Sequence, residues 1–191
     1  MRKHRGLTLI ELMVTLAIAA ILITIGVPSF VRLIKTNSMA SAVNTFLADS
    51  RFARSESVRL GGRVIMCRSD DPEASPPACA TNNASSGGKG WATGWVIFHD
   101  KDADDTVDAG EVLRIQPPVT SIDSVVEGVS TASTKLKFTA TGRLYDASLA
   151  TKMVFGGSAY TSSLQRVVCI GAGGRARVAG DGASACGTSN E

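Results

Sequence analysis

Two arginines near the end of the chain combine a residue type and a spacing that suit phosphate binding. Residues 174–177 read Gly-Arg-Ala-Arg, so Arg175 and Arg177 follow Gly174 two residues apart. On a β-strand such residues point to the same side, which would place their guanidinium groups about 6–7 Å apart. Each planar guanidinium can donate two hydrogen bonds to phosphate oxygens. The pair predicts a phosphate-binding site, although an arginine pair on a strand is more often a solvated edge.

A second group of residues is acidic and has the spacing of a calcium-binding loop. Acids stand at the first, third, fifth, ninth and twelfth positions of such a loop, as Asp100, Asp102, Asp104, Asp108 and Glu111. The sixth position holds Asp105 where the loop needs glycine, so Asp105 would require a strained positive φ. The flanking residues also predict strands rather than helices. We therefore expect a polar hairpin turn without a metal ion, with a calcium loop as the alternative.

The residue types that enzymes use are few and scattered. The histidines are His4 and His99, and the glycine-rich residues 171–174 lack the lysine and the helix of a phosphate loop. The sequence has no nucleophile elbow. The cysteines have no Cys-x-x-Cys spacing, which with two histidines argues against a zinc site. We predict a protein that is not an enzyme and has no cofactor.

The first 28 residues predict a membrane helix that contains one acid. A basic leader ending at Gly6 precedes an apolar run from Leu7 to Val27, in which Glu11 is the one ionised side chain. At about 1.5 Å per helical residue the run spans about 30 Å, the thickness of a bilayer core. A carboxylate there costs about 2.5–3.5 kcal/mol on insertion scales, so it requires a partner. A secretory signal or a plain anchor would explain the apolar run but not Glu11.

The spacing of glycine, acid and proline in this segment resembles the type IV pilins and the type II secretion pseudopilins. Gly6 and Leu7 match the residues between which a prepilin peptidase cuts, and Leu7 matches the residue that is then N-methylated. Glu11 matches the glutamate of the fifth mature position, and Pro28 matches the helix-kinking proline of the twenty-second. The resemblance implies a leader over residues 1–6, a transmembrane helix over 7–28, and assembly roles for Glu11 and Pro28.

The remaining sequence predicts one more helical stretch and then only strands. Apolar residues recur at three- and four-residue steps after Pro28, which indicates an amphipathic helix over residues 29–62 that ends at Gly61 and Gly62. Strands are predicted at residues 63–67, 94–98, 112–115, 135–139, 152–155, 166–170 and 175–178. The second and third of these flank the acidic segment as a hairpin. The expected fold is α+β, with a long N-terminal helix packed on an antiparallel β-sheet domain over residues 63–191.

The strand-rich part resembles the GspH/FimT branch of the minor pilins. The resemblance rests on the Trp-Val-Ile-Phe run at residues 95–98, the acidic turn, and the Gly-Glu-Val-Leu-Arg run at residues 110–114. It covers nearly the whole chain. Gly174, Arg175 and Arg177 match the C-terminal Gly-Arg-X-Arg motif of FimT-type pilins, which bind DNA during natural transformation. The resemblance therefore implies DNA as the ligand of the arginine pair.

Charge is balanced overall but separated along the chain. The chain has 20 basic and 17 acidic residues, and three of the basic residues belong to the leader. From Lys135 to Arg177 the one acid is Asp146. This basic stretch and the acidic segment are each as consistent with a solvated face as with a binding site. If folding brings them beside the arginine pair, the outer DNA contacts would be Lys135, Lys137, Arg143 and Arg166.

Four cysteines beyond a membrane helix predict two disulfides in an oxidising compartment, here the periplasm. Sequence order favours Cys67–Cys79 and Cys169–Cys186, each of which closes a loop rich in small residues. Two other pairings remain open at this stage.

These features together predict a FimT-like minor type IV pilin. It would be a single-pass inner-membrane protein with its C-terminal domain in the periplasm, processed by prepilin peptidase and built into the pilus with other major and minor pilins. It would bind extracellular double-stranded DNA for uptake, without sequence preference because few aromatic residues lie near the arginines. The alternative is a GspH-like pseudopilin of type II secretion with a purely structural role. A third class is a calcium-stabilised adhesin subunit.

Overall fold

In the part of the chain that the structure describes, one long helix is followed by eight short strands. The computed structural model describes residues 8–81, 88–127, 134–146 and 151–186. Helix α1 runs over Leu9–Leu60, and a 3₁₀ turn covers Trp91–Thr93. Strands β1 to β8 are Val64–Arg68, Trp95–His99, Val112–Gln116, Ser124–Glu127, Lys135–Phe138, Thr151–Gly156, Arg166–Ile170 and Ala176–Gly180. The expected fold class, a long N-terminal helix with antiparallel sheet, is confirmed.

The first residues of α1 form an apolar helix whose threonine hydroxyls bond to its own backbone. The chain divides after Asn37 into two compact units. In the first unit, Thr8 Oγ1 accepts a hydrogen bond from the Glu11 backbone N–H at 3.3 Å, as an N-cap does. Thr15 and Thr24 donate their hydroxyls to carbonyls three residues earlier. The helix is long and apolar enough to cross a membrane, and Pro28 lies inside it.

In the second unit, the remainder of α1 supplies one side of the core. Its buried residues begin at Met39 and recur at helical spacing through Val43, Phe46 and Ala53. Phe46 is 0 % exposed and makes edge-on ring contacts at centroid distances of 5.4–5.9 Å. The three rings that it contacts belong to Trp91, Trp95 and Phe155. Gly61 follows the helix with φ of 82°, a conformation that glycine adopts without strain.

The strands form two antiparallel sheets that share this core. Sheet A has the order β3-β2-β1-β5, and sheet B has the order β4-β6-β7-β8. The hairpin predicted around the acidic segment is confirmed, because β2 pairs with β3. The seven predicted strands are found within one or two residues, whereas β4, with its short sequence Ser-Val-Val-Glu, was not predicted. The inner faces of both sheets pack in one apolar cluster with the second part of α1.

A buried carboxylate connects α1 to sheet A. Asp49 accepts hydrogen bonds from Trp95 Nε1 at 2.9 Å and from Arg114 Nη1 at 2.6 Å. The Arg114 guanidinium also lies 3.9 Å above the ring of Phe52, a cation–π contact. Asp49 is only 4 % exposed, so these two donors replace the water that a carboxylate would otherwise bind.

The outer face of sheet A is covered by other residues, and each sheet carries one disulfide. On sheet A, the outer residues Ile65, Cys67, Val96 and Phe98 form a second buried cluster. The Cys67–Cys79 disulfide holds the following loop against this face. The second disulfide joins Cys169 to Cys186, so both pairings are those that sequence order favours.

Candidate nucleic-acid interface

The arginine pair lies at the start of β8, an edge strand of sheet B. Arg177 is directly opposite Cys169 in the β7–β8 register, and Arg175 precedes the strand. The carbonyl of Arg175 accepts a hydrogen bond from the Gly171 N–H at 3.1 Å, which closes the hairpin between the two strands. Both arginine side chains are exposed. The backbone that carries them is therefore fixed by pairing, while their guanidinium groups face solvent.

Gly174 brings a third arginine to the same place. Gly174 is buried with φ of 72°, and a Cβ added to it would lie 2.1 Å from the carbonyl oxygen of Gly142. The Cα of Arg143 would be 3.4 Å from the same Cβ. Arg143 is exposed and directly follows Gly142. The close approach that only glycine permits thus places Arg143 beside Arg175.

Lys152 joins the arginines through the sheet register. It lies opposite Cys169 on β6, and Cys169 lies opposite Arg177 on β8. Directly paired residues share a face, so Lys152 and Arg177 are on one side of sheet B, about 10 Å apart across two strand spacings. This is the outer face, because the next residue, Met153, lies in the core. The Cys169–Cys186 disulfide ties the last described residues to the same face.

Four cations, which we call the sheet B cations, lie together on the outer face of sheet B and on the turn beside it. They are Arg143, Lys152, Arg175 and Arg177. Within the described parts of the chain, none of their side chains forms an ion pair or a hydrogen bond. A group of unpaired cations leaves a positive potential that attracts polyanions. The arrangement can therefore bind phosphate oxygens without first breaking internal ion pairs.

The structure does not bring the other predicted outer contacts to this place. Lys135 and Lys137 lie on β5 in sheet A, where both bind the acidic segment. Lys137 forms an ion pair with Asp105, and Lys135 Nζ donates to the carbonyl of Asp105 at 2.6 Å. Arg166 begins β7, at the end of the hairpin away from Arg175, and donates to the carbonyls of residues 163 and 165. Of the four predicted outer residues, the structure places Arg143 beside the pair.

The acidic segment forms the β2–β3 turn and satisfies several of its own oxygens. Asp105 adopts φ of 64°, so the strained conformation that the sequence made doubtful is present. Oxygens of Asp100, Asp102 and Asp104 lie within 4.8 Å of one another. The Glu111 carboxylate accepts hydrogen bonds from the backbone N–H groups of residues 101 and 108, at 2.8 and 3.4 Å. Lys135 and Lys137 offset part of the negative charge of the segment. The expectation that this turn binds no calcium stays a prediction.

Local contacts shift the acidity of two carboxyl groups in this turn in opposite directions. The backbone N–H and the hydroxyl of Thr106 both donate to Asp104, and these hydrogen bonds lower the pKa of Asp104 below its usual value. Desolvation raises the pKa of Asp108, and the negative charges of Asp104, Asp102, Glu111 and Asp100 raise it further. The crowding of acids around Asp108 thus opposes the ionisation of that carboxyl group.

The predicted processing site lies outside the described residues, since these begin at residue 8 and the site is Gly6 and Leu7. Glu11 and Pro28 are both within the helical first unit and are exposed there. Their assembly roles stay predictions.

Comparison with known families and structures assigns the chain to a family. The family described as Type II transport protein GspH matches residues 42–174, and the Prokaryotic N-terminal methylation motif matches residues 1–27. The chain belongs to the GspH family. The resemblance to the GspH/FimT pilins noted from the sequence is therefore confirmed.

A solved crystal structure shows the same fold. A crystal structure of the type IV minor pilin FimU of Pseudomonas aeruginosa matches with a TM-score of 0.51 and 20 % identity, over 74 % of this GspH-family chain and 88 % of FimU. A second crystal form of FimU matches with a TM-score of 0.47 and 20 % identity, over 73 % of this chain and 90 % of that one. A comparison with curated protein sequences gives no match.

Sequence reasoning missed two residues of the site. Lys152 could not be assigned to the site from the sequence, because only the strand register places it on the face of Arg177. Arg54 of α1 donates from Nε to the carbonyl of Gly142 at 2.8 Å, and it is separated from that residue by 88 positions. No local sequence signal could have indicated this contact.

Proposed function

We propose that this chain is a FimT-like minor type IV pilin that binds the phosphates of double-stranded DNA through Arg175 and Arg177. The observation that carries the proposal is the group of four sheet B cations, which have no neutralising partner among the residues that the structure describes. Arg143 and Lys152 extend the site on two sides of the pair. Guanidinium and ammonium groups that face solvent bind phosphate oxygens regardless of base sequence.

The rest of the proposed role follows from the family and the first unit. Prepilin peptidase would cut after Gly6 and methylate Leu7, in agreement with the methylation-motif match over residues 1–27. The apolar part of α1 would anchor the precursor in the inner membrane with the strand-rich unit in the periplasm. The two disulfides suit that oxidising compartment. Assembly with other pilins would then display the sheet B cations on a pilus.

A GspH-like pseudopilin of type II secretion is the second candidate. The description of the matching family, Type II transport protein GspH, favours it. A structural subunit needs no polyanion site, so DNA binding distinguishes the two candidates.

The test is a titration of the full-length protein, in nonionic detergent, with a labelled duplex of mixed sequence at several salt concentrations. With about two to four phosphates neutralised, log K should fall against log salt with a slope of roughly −2 to −4. Each of Arg175→Gln and Arg177→Gln should reduce that slope by about one.

A matched control removes two charges elsewhere. Arg51 and Lys89 also lack side-chain partners among the described residues, but they lie on α1 and before the 3₁₀ turn. The Arg51→Gln/Lys89→Gln protein has the same net charge as Arg175→Gln/Arg177→Gln and should bind like wild type. Equal loss in both double variants would show that net charge, not the site, controls binding. A wild-type protein that does not bind at low salt would favour the pseudopilin role.

A further inference from the structure

The turn that carries Arg143 connects the two sheets. It follows β5 of sheet A and is closed by hydrogen bonds between Thr139 and Arg143 and between Thr139 and Gly142, both at 2.8 Å. One residue later, the Leu144 N–H donates to the carbonyl of Ala172 at 3.0 Å, in the β7–β8 connection of sheet B. The turn therefore lies directly against the segment that presents Arg175.

The carbonyl of Gly142 is contacted from two sides. Arg54 Nε donates to this oxygen at 2.8 Å from α1. From the other side, Gly174 approaches so closely that a Cβ would be 2.1 Å from the same oxygen. Gly142 itself has φ of 73°, and a Cβ there would lie 3.0 Å from the Arg54 side chain. The Gly142 carbonyl is thus packed closely against Gly174 on one side and hydrogen-bonded to Arg54 on the other.

We propose that Arg54 is a positioning residue for DNA binding, which holds Arg143 beside Arg175 so that the two guanidinium groups bind neighbouring phosphates. The proposal rests on the proposed function. Arg54 is half-buried and its Nε is occupied by the Gly142 carbonyl, so its role is to fix the turn. The Cα of Arg143 would lie 3.4 Å from a Cβ on Gly174, and Gly174 directly precedes Arg175. Because consecutive Cα atoms are about 3.8 Å apart, the Cα atoms of Arg143 and Arg175 are at most about 9 Å apart.

The physical gain is preorganisation. A charge-assisted hydrogen bond to a carbonyl is stronger than one between neutral groups, and it comes here from a rigid helix. A turn already held in place loses less conformational freedom when Arg143 binds a phosphate. Without the bond, Arg143 must be ordered at the moment of binding. The loss of Arg54 should therefore weaken DNA binding only through Arg143.

A double-mutant cycle tests this coupling. The four proteins are wild type, Arg54→Met, Arg143→Gln and the double variant, all full length in nonionic detergent, titrated with the same duplex at several salt concentrations. Arg54→Met and Arg143→Gln should each weaken binding about three- to tenfold, and the double variant should match Arg143→Gln within twofold. Arg54→Lys, which keeps the charge and a donor, should restore most of the affinity lost in Arg54→Met.

Two outcomes would overturn the positioning role. If the two losses multiply in the double variant, Arg54 acts independently of Arg143. If Arg54→Met lowers the salt slope in the Arg143→Gln background, Arg54 contacts a phosphate itself. Should Arg54→Met fail to fold, Arg54→Gln takes its place in the same cycle, and multiplied losses there count against the proposal equally. If the wild-type protein does not bind DNA, both the proposed function and this inference are refuted. If the wild-type protein binds DNA but the two losses multiply, only the inference is refuted.

Discussion

Replacing Asp49 by alanine should destabilise the strand-rich unit by about 2–3 kcal/mol. The carboxylate is the partner of Trp95 Nε1, and Trp95 is 0 % exposed. Without that acceptor, the indole N–H remains buried and unpaired, which costs about 1–3 kcal/mol. The Arg114 guanidinium loses its partner as well, but the side chain is 42 % exposed and can turn to water, so this adds at most about 1 kcal/mol.

The Asp49→Asn variant separates these two contributions. Its amide oxygen can still accept the hydrogen bond of Trp95, while the charge that Arg114 pairs with is gone. The expected loss is therefore about 1 kcal/mol, clearly smaller than that of Asp49→Ala. The matched control is Arg51→Ala, two residues along the same helix and exposed, which should change stability by less than about 0.5 kcal/mol.

The assay is urea unfolding of the full-length protein in nonionic detergent, followed by tryptophan fluorescence. The chain's two tryptophans, Trp91 and Trp95, both contact Phe46 in the core, so their emission reports on the strand-rich unit. An Asp49→Ala loss below about 1 kcal/mol would mean that the Trp95 N–H finds another acceptor or water. Equal losses for alanine and asparagine would mean that the charge pair with Arg114 dominates. Either result would refute the reasoning.

Three further predictions concern the residues of N-terminal processing and assembly and the acidic segment. A bulky residue at Gly6 should block cleavage and leave an unprocessed membrane precursor, and a mature-sized band on an immunoblot would contradict this. Glu11→Val should insert in the membrane normally yet be missing from sheared pili, because in the filament Glu11 would neutralise the N-terminal amine of a neighbouring subunit; normal incorporation would rule that role out. Calcium should change the melting temperature by less than about 2 °C, and a large rise would show that the acidic segment binds it.

Much of the fold could be predicted because its signals are local. A helix is indicated by the apolar run and its end by Gly61 and Gly62, and strands are indicated by the β-branched runs. Each of these signals lies within the residues of the element itself. The Ser-Val-Val-Glu sequence of β4 was missed since four residues give too short a pattern to separate a strand from a loop. The division into two sheets could not be predicted, because β5 pairs with β1 across about 70 residues of sequence.

That division decides which basic residues belong to the candidate site. Arg175 and Arg177 were found from their spacing, which is a local signal. Lys135 and Lys137 lie in the same basic stretch of sequence, yet pairing of β5 with β1 puts them in sheet A beside Asp105. Arg143 joins the site because a hydrogen bond from Leu144 ties its turn to sheet B. Sequence order alone gives no means to separate these cases.

The Cys169–Cys186 disulfide has a practical consequence for anyone who handles this protein. It fixes the chain at Cys186 next to the strand that carries Arg177, with Cys169 directly opposite that arginine. A peptide attached close after Cys186 is therefore tethered near the sheet B cations, at an effective concentration in about the millimolar range. An acidic epitope or a reporter domain placed there would compete with polyanions from within the same molecule.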